Sequence, residues 1–266
     1  LQFIKAAAVN RALRGRPEGR VDHFLLHTGQ HYDDDMSQIF FRELELPEAD
    51  RNLGVGGGLH GAMTGAMLAG VEELLLERKP DWLLIYGDTD STLAGALAAA
   101  KLHVPVVHVE AGLRSFNRRM PEEINRLLSD HVSKLLMCPT QTAVDNLRAE
   151  GVEHGVHMVG DVMYDASLYY ARRAREKSLL GEMGLEPGEY FLATCHRAEN
   201  TDDKHRLGGI MEALARAARE FPVVLPVHPR TRKRLDEHGL EVDRGVRLIP
   251  PVGYLQMADL ERNARA

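Results

Sequence analysis

Cysteine, positive charge and long apolar runs are all scarce in this chain of 266 residues, and each scarcity excludes a class of protein. Only two cysteines occur, Cys138 and Cys195, which is too few for a disulfide framework, and their neighbours lack the spacing of metal ligands. Because a reducing compartment suits two such thiols, we expect a cytoplasmic protein without structural disulfides.

The charge and the apolar segments argue against nucleic acid and membrane as partners. Acidic residues outnumber basic ones, 39 to 33, and give a formal net charge of −6, whereas nucleic-acid binding favours a basic surface. The longest apolar stretch, 93–109, is broken by Lys101, His103 and Pro105, so it falls short of the roughly 20 apolar residues that span a bilayer. The composition, 44% hydrophobic and 27% charged, is typical of a soluble globular protein.

Short apolar runs alternate with helical segments along the chain. The predicted strands are 21–27, 82–86, 104–109, 134–138, 157–159, 190–194, 223–227 and 246–249. Between them, apolar residues at helical spacing predict helices, among them 59–79 and 90–102. This alternation predicts an α/β fold in which parallel strands are covered on both faces.

One segment, 166–188, interrupts the alternation. It is charged at first and then rich in glycine and proline, as expected of a connector. Because a strand pattern starts afresh at Tyr190, we predict two Rossmann-like domains, 1–166 and 167–266, with the active site in the cleft between them.

Polar clusters follow several of the predicted strands or begin a predicted helix. They are 87–91, 108–114, 121–126 and 195–200. The carboxyl ends of parallel strands meet at one edge of a sheet, so we expect these clusters to converge although they are far apart in sequence. Three carboxylates and an imidazole meeting there would suit proton-transfer chemistry.

The cluster that follows strand 82–86 has more than one interpretation. Asp90 or Ser91 can cap the next helix while Asp88 projects into the crevice. Metal ligation is an alternative, because Asp88, Asp90, His108 and Glu110 all lie near the ends of neighbouring strands. No tight ligand spacing adds to that alternative.

The adjacent carboxylates Glu122 and Glu123 also allow a purely structural role. They stand in the first turn of a helix entered through Pro121, where proline and acidic residues are both favoured. The sequence leaves open whether either carboxylate does more than stabilise that helix.

The glycine-rich run 56–61 satisfies the pattern G-x-G-x-x-G, with Asp81 about twenty residues further on. A dinucleotide site needs a strand directly before the glycines, but 49–54 is polar, and Asp81 precedes its strand. We therefore predict a flexible loop leading into a helix.

Cys195 and His196 are neighbours, but adjacent residues on a strand point to opposite faces and cannot form one nucleophilic pair. We interpret Cys195 as buried packing. His196 and Arg197 at a strand end suit a phosphate, and His228 with Arg230 repeats that chemistry one unit later.

Taken together, these motifs resemble the non-hydrolysing UDP-N-acetylglucosamine 2-epimerases. The resemblance is carried by Phe3-Ile4-Lys5, Thr28-Gly29-Gln30-His31-Tyr32, Tyr86-Gly87-Asp88-Thr89, the runs 108–115 and 120–126, Cys195-His196-Arg197-Ala198-Glu199-Asn200, and Pro226-Val227-His228-Pro229. It implies two Rossmann-like domains in the glycosyltransferase-B arrangement, usually as a homodimer. It also implies inversion at C2 of the sugar, without NAD or an obligatory metal, by elimination of UDP to a 2-acetamidoglucal and its re-addition.

The resemblance also assigns roles to residues of this chain. The implied catalytic set is Asp88, Glu110, Glu122 and His196. The residues implied to position the diphosphate or the carboxylates are Lys5, Arg114, Arg126, Arg197 and His228.

The sequence departs from the family pattern near both ends. Family members carry a strand and a Gly-Thr-Arg-Pro run before the segment that matches 2–5, and a Ser-Gly-Gly turn with an acidic residue after the one that matches 254–264. We therefore expect the first domain to lack its first strand, the second to be truncated, and these residues alone to show little turnover. Since Met63 stands where some members have a glutamine, activation by a second substrate molecule is not expected.

Several functions remain open. The same epimerisation can act on a modified sugar nucleotide such as a UDP-2,3-diacetamido uronic acid, and a hydrolysing epimerase would release UDP instead. A metallohydrolase would bind ions at Asp88, His108 and Glu110. The non-enzymatic alternative is a sensor of sugar nucleotides.

Overall fold

The computed structural model describes residues 2–15, 21–29, 43–174, 180–195 and 198–266. The chain divides into two compact units, Leu1–Ala166 and Ser167–Ala266. In both units the described strands pair in parallel and alternate with helices. The predicted α/β class with parallel sheets is therefore confirmed.

The first unit contains most of the described elements. In chain order they are α1 (Gln2–Arg14), β1 (Leu26–His27), β2 (Arg51–Asn52), α2 (His60–Arg78), β3 (Leu83–Tyr86), α3 (Asp90–Lys101), β4 (Val106–Val109), α4 (Pro121–Val132), β5 (Leu135–Cys138), α5 (Gln141–Ala149), β6 (Val156–Met158) and α6 (Val162–Ala174), which crosses the unit boundary. Strands β3 to β6 form one sheet in sequential order, while β1 and β2 form a separate pair.

The register of the larger sheet brings two polar clusters to the same level. Tyr86, the last residue of β3, pairs with Val109, the last residue of β4. Since both strands run in the same direction, Gly87 and Glu110 leave the sheet side by side.

Helix α3 lies in the core of this unit. Ala96, Ala98 and Ala99 are fully buried and pack with Ile85 of β3 and Val106 of β4. Small side chains on several faces let the helix be surrounded by protein, which explains why its sequence lacks a polar face. The first turn of α3 contains Asp90 and Ser91 of the polar cluster 87–91, so the packing of this helix determines where that cluster lies at the edge of the sheet.

Three predictions about secondary structure were wrong in detail. Only Leu26–His27 of the predicted strand 21–27 is extended and paired, and its partner β2 was rejected because it is polar. Both β2 side chains are exposed, so the pair depends on backbone bonds such as Leu53 N to His27 O at 2.9 Å, which hydrophobicity does not indicate. Within the segment 166–188 the sequence predicts a helix over 169–177, whereas helix α6 begins earlier, at Val162; residues 175–177 lie outside the described residues.

The second unit contains α7 (Leu180–Met183), β7 (Phe191–Leu192), α8 (Ala198–Thr201), α9 (Lys204–Ala217), β8 (Val223–Pro226), α10 (Pro229–His238), β9 (Val246–Ile249) and α11 (Tyr254–Asn263). Strands β7, β8 and β9 form a parallel sheet in that order. Cys195 belongs to its hydrophobic core, as predicted, together with Leu207 and Leu225. Across the described parts of the chain, no helix is both long and apolar enough to cross a membrane.

Candidate active site

The turn after β3 is built around Gly87. This residue has a φ of 61°, and a Cβ placed on it would lie 2.8 Å from Lys5 Nζ and 2.6 Å from Gln2 Nε2. Only glycine satisfies both the left-handed backbone and the close approach of α1. The turn therefore brings the buried Lys5 ammonium against the strand end that carries Asp88.

Asp88 is tied to helix α4 through both its carboxylate and its backbone. Arg126 Nη2 forms an ion pair with Asp88 Oδ2, and Asn125 Nδ2 donates to the Asp88 carbonyl at 3.0 Å. Burial alone would lower the pKa of Arg126, but hydrogen bonds and attraction from Asp88 and Glu123 outweigh burial and raise it. The guanidinium thus stays charged beside Asp88.

The helix that follows this turn is not capped as predicted. Thr89, rather than Asp90 or Ser91, is the N-cap, and its backbone N–H donates to Thr92 Oγ1 at 3.1 Å. Asp90 is buried instead, accepting from Asn125 Nδ2 at 3.1 Å and contacting His60 Nδ1 at 2.8 Å. Asp90 therefore joins three helices, while Asp88 points toward Arg126.

Glu110 leaves β4 in a strained conformation. Its φ is 72°, in the left-handed region that costs a residue with a side chain about 1–3 kcal/mol. The turn is held by the N–H groups of Glu110 and Ala111, which both donate to Met137 O at 3.1 Å. Glu110 Oε2 lies 2.6 Å from Lys5 Nζ, so the strained turn aims this carboxylate at the ammonium that also approaches Gly87.

The two adjacent glutamates of α4 differ completely in their surroundings. Glu123 is 2% exposed and accepts hydrogen bonds from Ser115 N, Ser115 Oγ and Phe116 N, each at 2.9 Å, and from Arg126 Nη1 at 2.8 Å. Burial acts to raise the pKa of Glu123, but these hydrogen bonds prevail and lower it. This carboxylate is a fixed structural anion.

Glu122 is exposed and makes no hydrogen bond or ion pair with the residues that the structure describes. It stands four residues before Arg126, on the same face of α4 and one turn closer to the helix N-terminus. A carboxylate in this position is free to exchange a proton with a ligand. Both glutamates lie in the first turn behind Pro121, as predicted.

Arg114 lies in a buried ion network. Its side chain is 1% exposed, with Nη1 donating to Asp130 Oδ2 and Nε and Nη2 donating to the two oxygens of Glu150, all at 2.7 Å. Burial favours a lower pKa for Arg114, yet Glu150 and Asp130 raise it well above its usual range. The resemblance implied that Arg114 positions the diphosphate or the carboxylates; its described bonds go to the carboxylates of Asp130 and Glu150, which occupy the guanidinium.

Four of the predicted site residues therefore meet in the first unit. They form two ion pairs, Lys5 with Glu110 and Arg126 with Asp88, beside the Gly87 turn, and Glu122 shares a helix face with Arg126. Two carboxylates with separate cationic partners, together with one free carboxylate, can remove and return protons and can stabilise a developing positive charge.

The predicted residues of the second unit are described only in part. His196 and Arg197 lie outside the described residues. His228 is exposed at the carboxyl end of β8 and is the N-cap of α10, where its Nδ1 accepts from Arg230 N at 3.3 Å. Arg230 itself pairs with Asp202 at 2.7 Å.

The metal interpretation is not supported by these contacts. Asp88, Asp90, His108 and Glu110 each bind a different protein partner. Within the described ranges, no group of three or more histidine, cysteine or acidic side chains is arranged to hold a metal ion.

Sequence reasoning missed the part that four residues play in shaping the site: Asn125, Glu123 as a buried anchor, and His108 with its partner Asp130. A signal was present for His108, since a histidine within the apolar strand β4 must find polar partners when buried. The role of Asp130 had no such signal, because an acidic residue near the end of an amphipathic helix usually faces water.

The sequence profile that describes the UDP-N-acetylglucosamine 2-epimerase family matches residues 11–266 of this chain. The UDP-2,3-diacetamido-2,3-dideoxy-D-glucuronate 2-epimerase of Pseudomonas aeruginosa is 52% identical over 261 residues, which cover 96% of this chain and 71% of that protein. A UDP-N-acetylglucosamine 2-epimerase of Methanococcus maripaludis is 44% identical over 273 residues, covering 99% and 73%.

Solved structures give the same result. The UDP-GlcNAc 2-epimerase of Methanocaldococcus jannaschii, in complex with UDP-GlcNAc and UDP, matches with a TM-score of 0.87 at 43% identity, over 99% of this chain and 74% of that one. The enzyme of Neisseria meningitidis bound to UDP-GlcNAc matches with a TM-score of 0.86 at 28% identity, over 98% and 73%. The chain thus spans roughly three quarters of the length of these relatives.

Proposed function

This chain belongs to the UDP-N-acetylglucosamine 2-epimerase family, as its motifs predicted, and on that premise we propose that it inverts C2 of UDP-N-acetylglucosamine to give UDP-N-acetylmannosamine without hydrolysis. The observation that carries the proposal is the cluster around Gly87. There Asp88 and Glu110 leave adjacent parallel strands and are held by Arg126 and Lys5, while Glu122 stays free on α4.

The chemistry requires more than a base. The hydrogen on C2 is weakly acidic because C2 carries an acetamido group and neither adjacent carbon is a carbonyl, so departure of UDP must run ahead of proton removal. The C1–O bond breaks with its electron pair passing to UDP, C2 gives its proton to a carboxylate, and the double bond of a 2-acetamidoglucal forms. Carboxylates near C1 and C2 stabilise the positive charge that develops as UDP leaves.

Inversion requires that the proton leaves one face of C2 and returns to the other, which calls for two acid/base groups. We assign these roles to Asp88 and Glu122, and the stabilising role to Glu110. The proton returns from the second carboxyl group while the UDP oxygen forms its bond to C1 again. His196, Arg197 and His228 are the candidates for holding the diphosphate, whose negative charge grows as the bond breaks.

The same reaction on a UDP-2,3-diacetamido uronic acid is a second candidate. It is favoured by the 52% identity to the Pseudomonas aeruginosa relative, which is named for that substrate. Parallel assays with both sugar nucleotides at equal concentration distinguish the two, since the preferred substrate has the larger kcat/KM.

The test of the reaction is incubation of the full-length protein with UDP-N-acetylglucosamine in deuterated water, followed by NMR of C2. We expect deuterium at C2 in both epimers and no accumulation of free UDP. Release of UDP with free N-acetylmannosamine would show a hydrolysing enzyme instead. Absence of exchange with either sugar nucleotide would refute the epimerase proposal.

We also propose that the protein is a homodimer. Support comes from large apolar side chains that are at least 38% exposed, two of them before α4 and two on it: Phe116, Met120, Ile124 and Leu128. A second copy of the chain would cover these side chains. Light scattering should show a dimer that the double substitution Ile124→Lys, Leu128→Lys converts to a monomer; a monomeric wild type at micromolar concentration would contradict the proposal.

A further inference from the structure

His108 is a fully buried histidine that the proposed reaction does not use. It lies in the apolar strand β4, and each of its ring nitrogens contacts an oxygen. Nδ1 is 2.6 Å from Asp130 Oδ1, and Nε2 is 2.7 Å from the carbonyl oxygen of Gly87. The ring therefore connects the end of β3 with the last turn of α4.

The two contacts determine where the ring carries hydrogen. A carbonyl oxygen can only accept, so Nε2 must donate to Gly87. Asp130 Oδ2 already accepts from Arg114 Nη1 at 2.7 Å and from Gly112 N at 3.1 Å, so Oδ1 is the oxygen that remains to contact Nδ1. The ring therefore donates from Nε2 to Gly87 and is held on its other side by Asp130.

Both partners of His108 belong to segments that carry active-site residues. Gly87 is the residue before Asp88, and its own N–H donates to Val109 O at 3.0 Å. Helix α4, which carries Asp130, also carries Asn125 and Arg126, which bind the Asp88 carbonyl and carboxylate. The imidazole ring of His108 therefore links the backbone next to Asp88 to helix α4.

We propose that His108 is a positioning residue of this active site, which contacts the Gly87 carbonyl and the Asp130 carboxylate at once and thereby keeps Asp88 in place against Asn125 and Arg126 of α4. The inference rests on the proposed epimerase function. His108 contacts no substrate in this role. Its effect is on the rate of the proton transfer and not on the affinity for UDP.

Two substitutions separate the two hydrogen bonds. The amide of His108→Gln places a donor near the position of Nε2 and can keep the bond to Gly87, whereas that of His108→Asn places a donor near Nδ1 and can keep the bond to Asp130. Because Gly87 precedes Asp88, we expect His108→Asn to lower kcat between about 10- and 100-fold and His108→Gln to lower it less. UDP affinity measured by calorimetry should stay within about twofold in both.

The matched control is His103→Asn. His103 is exposed and has a φ of 60°, a conformation that asparagine tolerates well. It should match the wild type in kcat, UDP affinity and Tm. The inference is overturned if His108→Asn keeps its kcat within twofold of the wild type, or if its UDP affinity falls in parallel with kcat. If the wild type itself is inactive, the function has failed, and the following measurement still decides the inference.

A second measurement needs neither a stable variant nor turnover. In the wild-type protein with ¹⁵N-labelled histidine, the NMR spectrum should show one histidine whose Nε2 carries a hydrogen that exchanges slowly with solvent, as donation to the Gly87 carbonyl requires. Absence of any such slowly exchanging histidine hydrogen would overturn the inference. Asp130→Asn, which weakens the charge opposite Nδ1, should shift that signal, and His103→Asn should not.

Discussion

The ammonium of Lys5 lies 2.6 Å from a carboxylate oxygen of Glu110, although Lys5 belongs to α1 and Glu110 follows β4, far along the chain. The lysine side chain is 5% exposed and the glutamate side chain 18%. An ion pair so shielded holds the strained Glu110 turn in place, and it also places a positive charge beside Gly87.

Lys5→Met should therefore leave Glu110 without its cation. Removing one partner of a buried pair leaves the other charge uncompensated, and we expect a loss of about 2–4 kcal/mol in the free energy of unfolding. Deuterium incorporation at C2 should fall at least about tenfold as well. Urea unfolding and the NMR assay measure the two effects. Lys134→Met, at an exposed lysine, is the control; equal effects of the two substitutions would contradict the prediction.

Gly87→Ala tests the close packing of α1 against the turn. Alanine at a φ of 61° costs about 1–2 kcal/mol from backbone strain, and its Cβ would also displace Lys5 Nζ and Gln2. Gly54→Ala is a matched control, since Gly54 has a φ of 64° but nothing within 4 Å of its Cβ position. Thermal unfolding should show the larger loss for Gly87→Ala, with turnover lost only there. An equal loss would mean that α1 does not constrain the turn.

The adjacent glutamates of α4 should separate activity from stability. Glu122→Gln is expected to lower kcat by about 10²–10⁴-fold, the range for loss of a general acid or base, while stability changes by no more than about 0.5 kcal/mol. Glu123→Gln removes an anion that accepts four hydrogen bonds and should cost about 1–3 kcal/mol of stability. Denaturant unfolding and steady-state kinetics on both variants provide the comparison. A stable, fully active Glu122→Gln would remove that residue from the mechanism.

The lowered pKa of Glu123 has a predictable effect on acid stability. Because the folded pKa lies below that of the unfolded chain, about 4.3, the contribution is complete above that value and is lost as the pH falls through the folded pKa. Urea unfolding at pH 7, 5, 4 and 3 should therefore show the wild type converging toward Glu123→Gln at the acid end. A difference between the two proteins that is constant with pH would contradict this assignment.

Arg114→Lys distinguishes a buried structural arginine from a ligand of the diphosphate. Lysine keeps the charge but cannot bind both oxygens of Glu150 while reaching Asp130. We expect a stability loss of about 1–3 kcal/mol and UDP affinity within about twofold of the wild type. Calorimetry with UDP decides the point: a large loss of affinity in a stable variant would restore the diphosphate role.

The alternation of strands and helices was readable from the sequence because the buried strands consist mostly of apolar residues. Predicted 82–86 became Leu83–Tyr86, and predicted 246–249 is Val246–Ile249. The sequence did not predict strand β2, because both of its side chains are exposed and only its backbone pairing defines it as a strand. Hydrophobic periodicity indicates which side chains are buried, so it does not reveal a strand whose side chains are exposed.

The sequence by itself determined which residue types stand at the strand ends, because parallel strands must present their carboxyl ends at one edge of the sheet. The sequence therefore predicted that Asp88 and Glu110 lie near one another. Only the tertiary structure decided that Glu122 is free while Glu123 is saturated with hydrogen bonds, that Arg114 is enclosed by Asp130 and Glu150, and that His108 supports Gly87. Adjacent or similar residues differ in these respects because solvent access and hydrogen-bond partners come from segments distant in the chain, which local sequence does not encode.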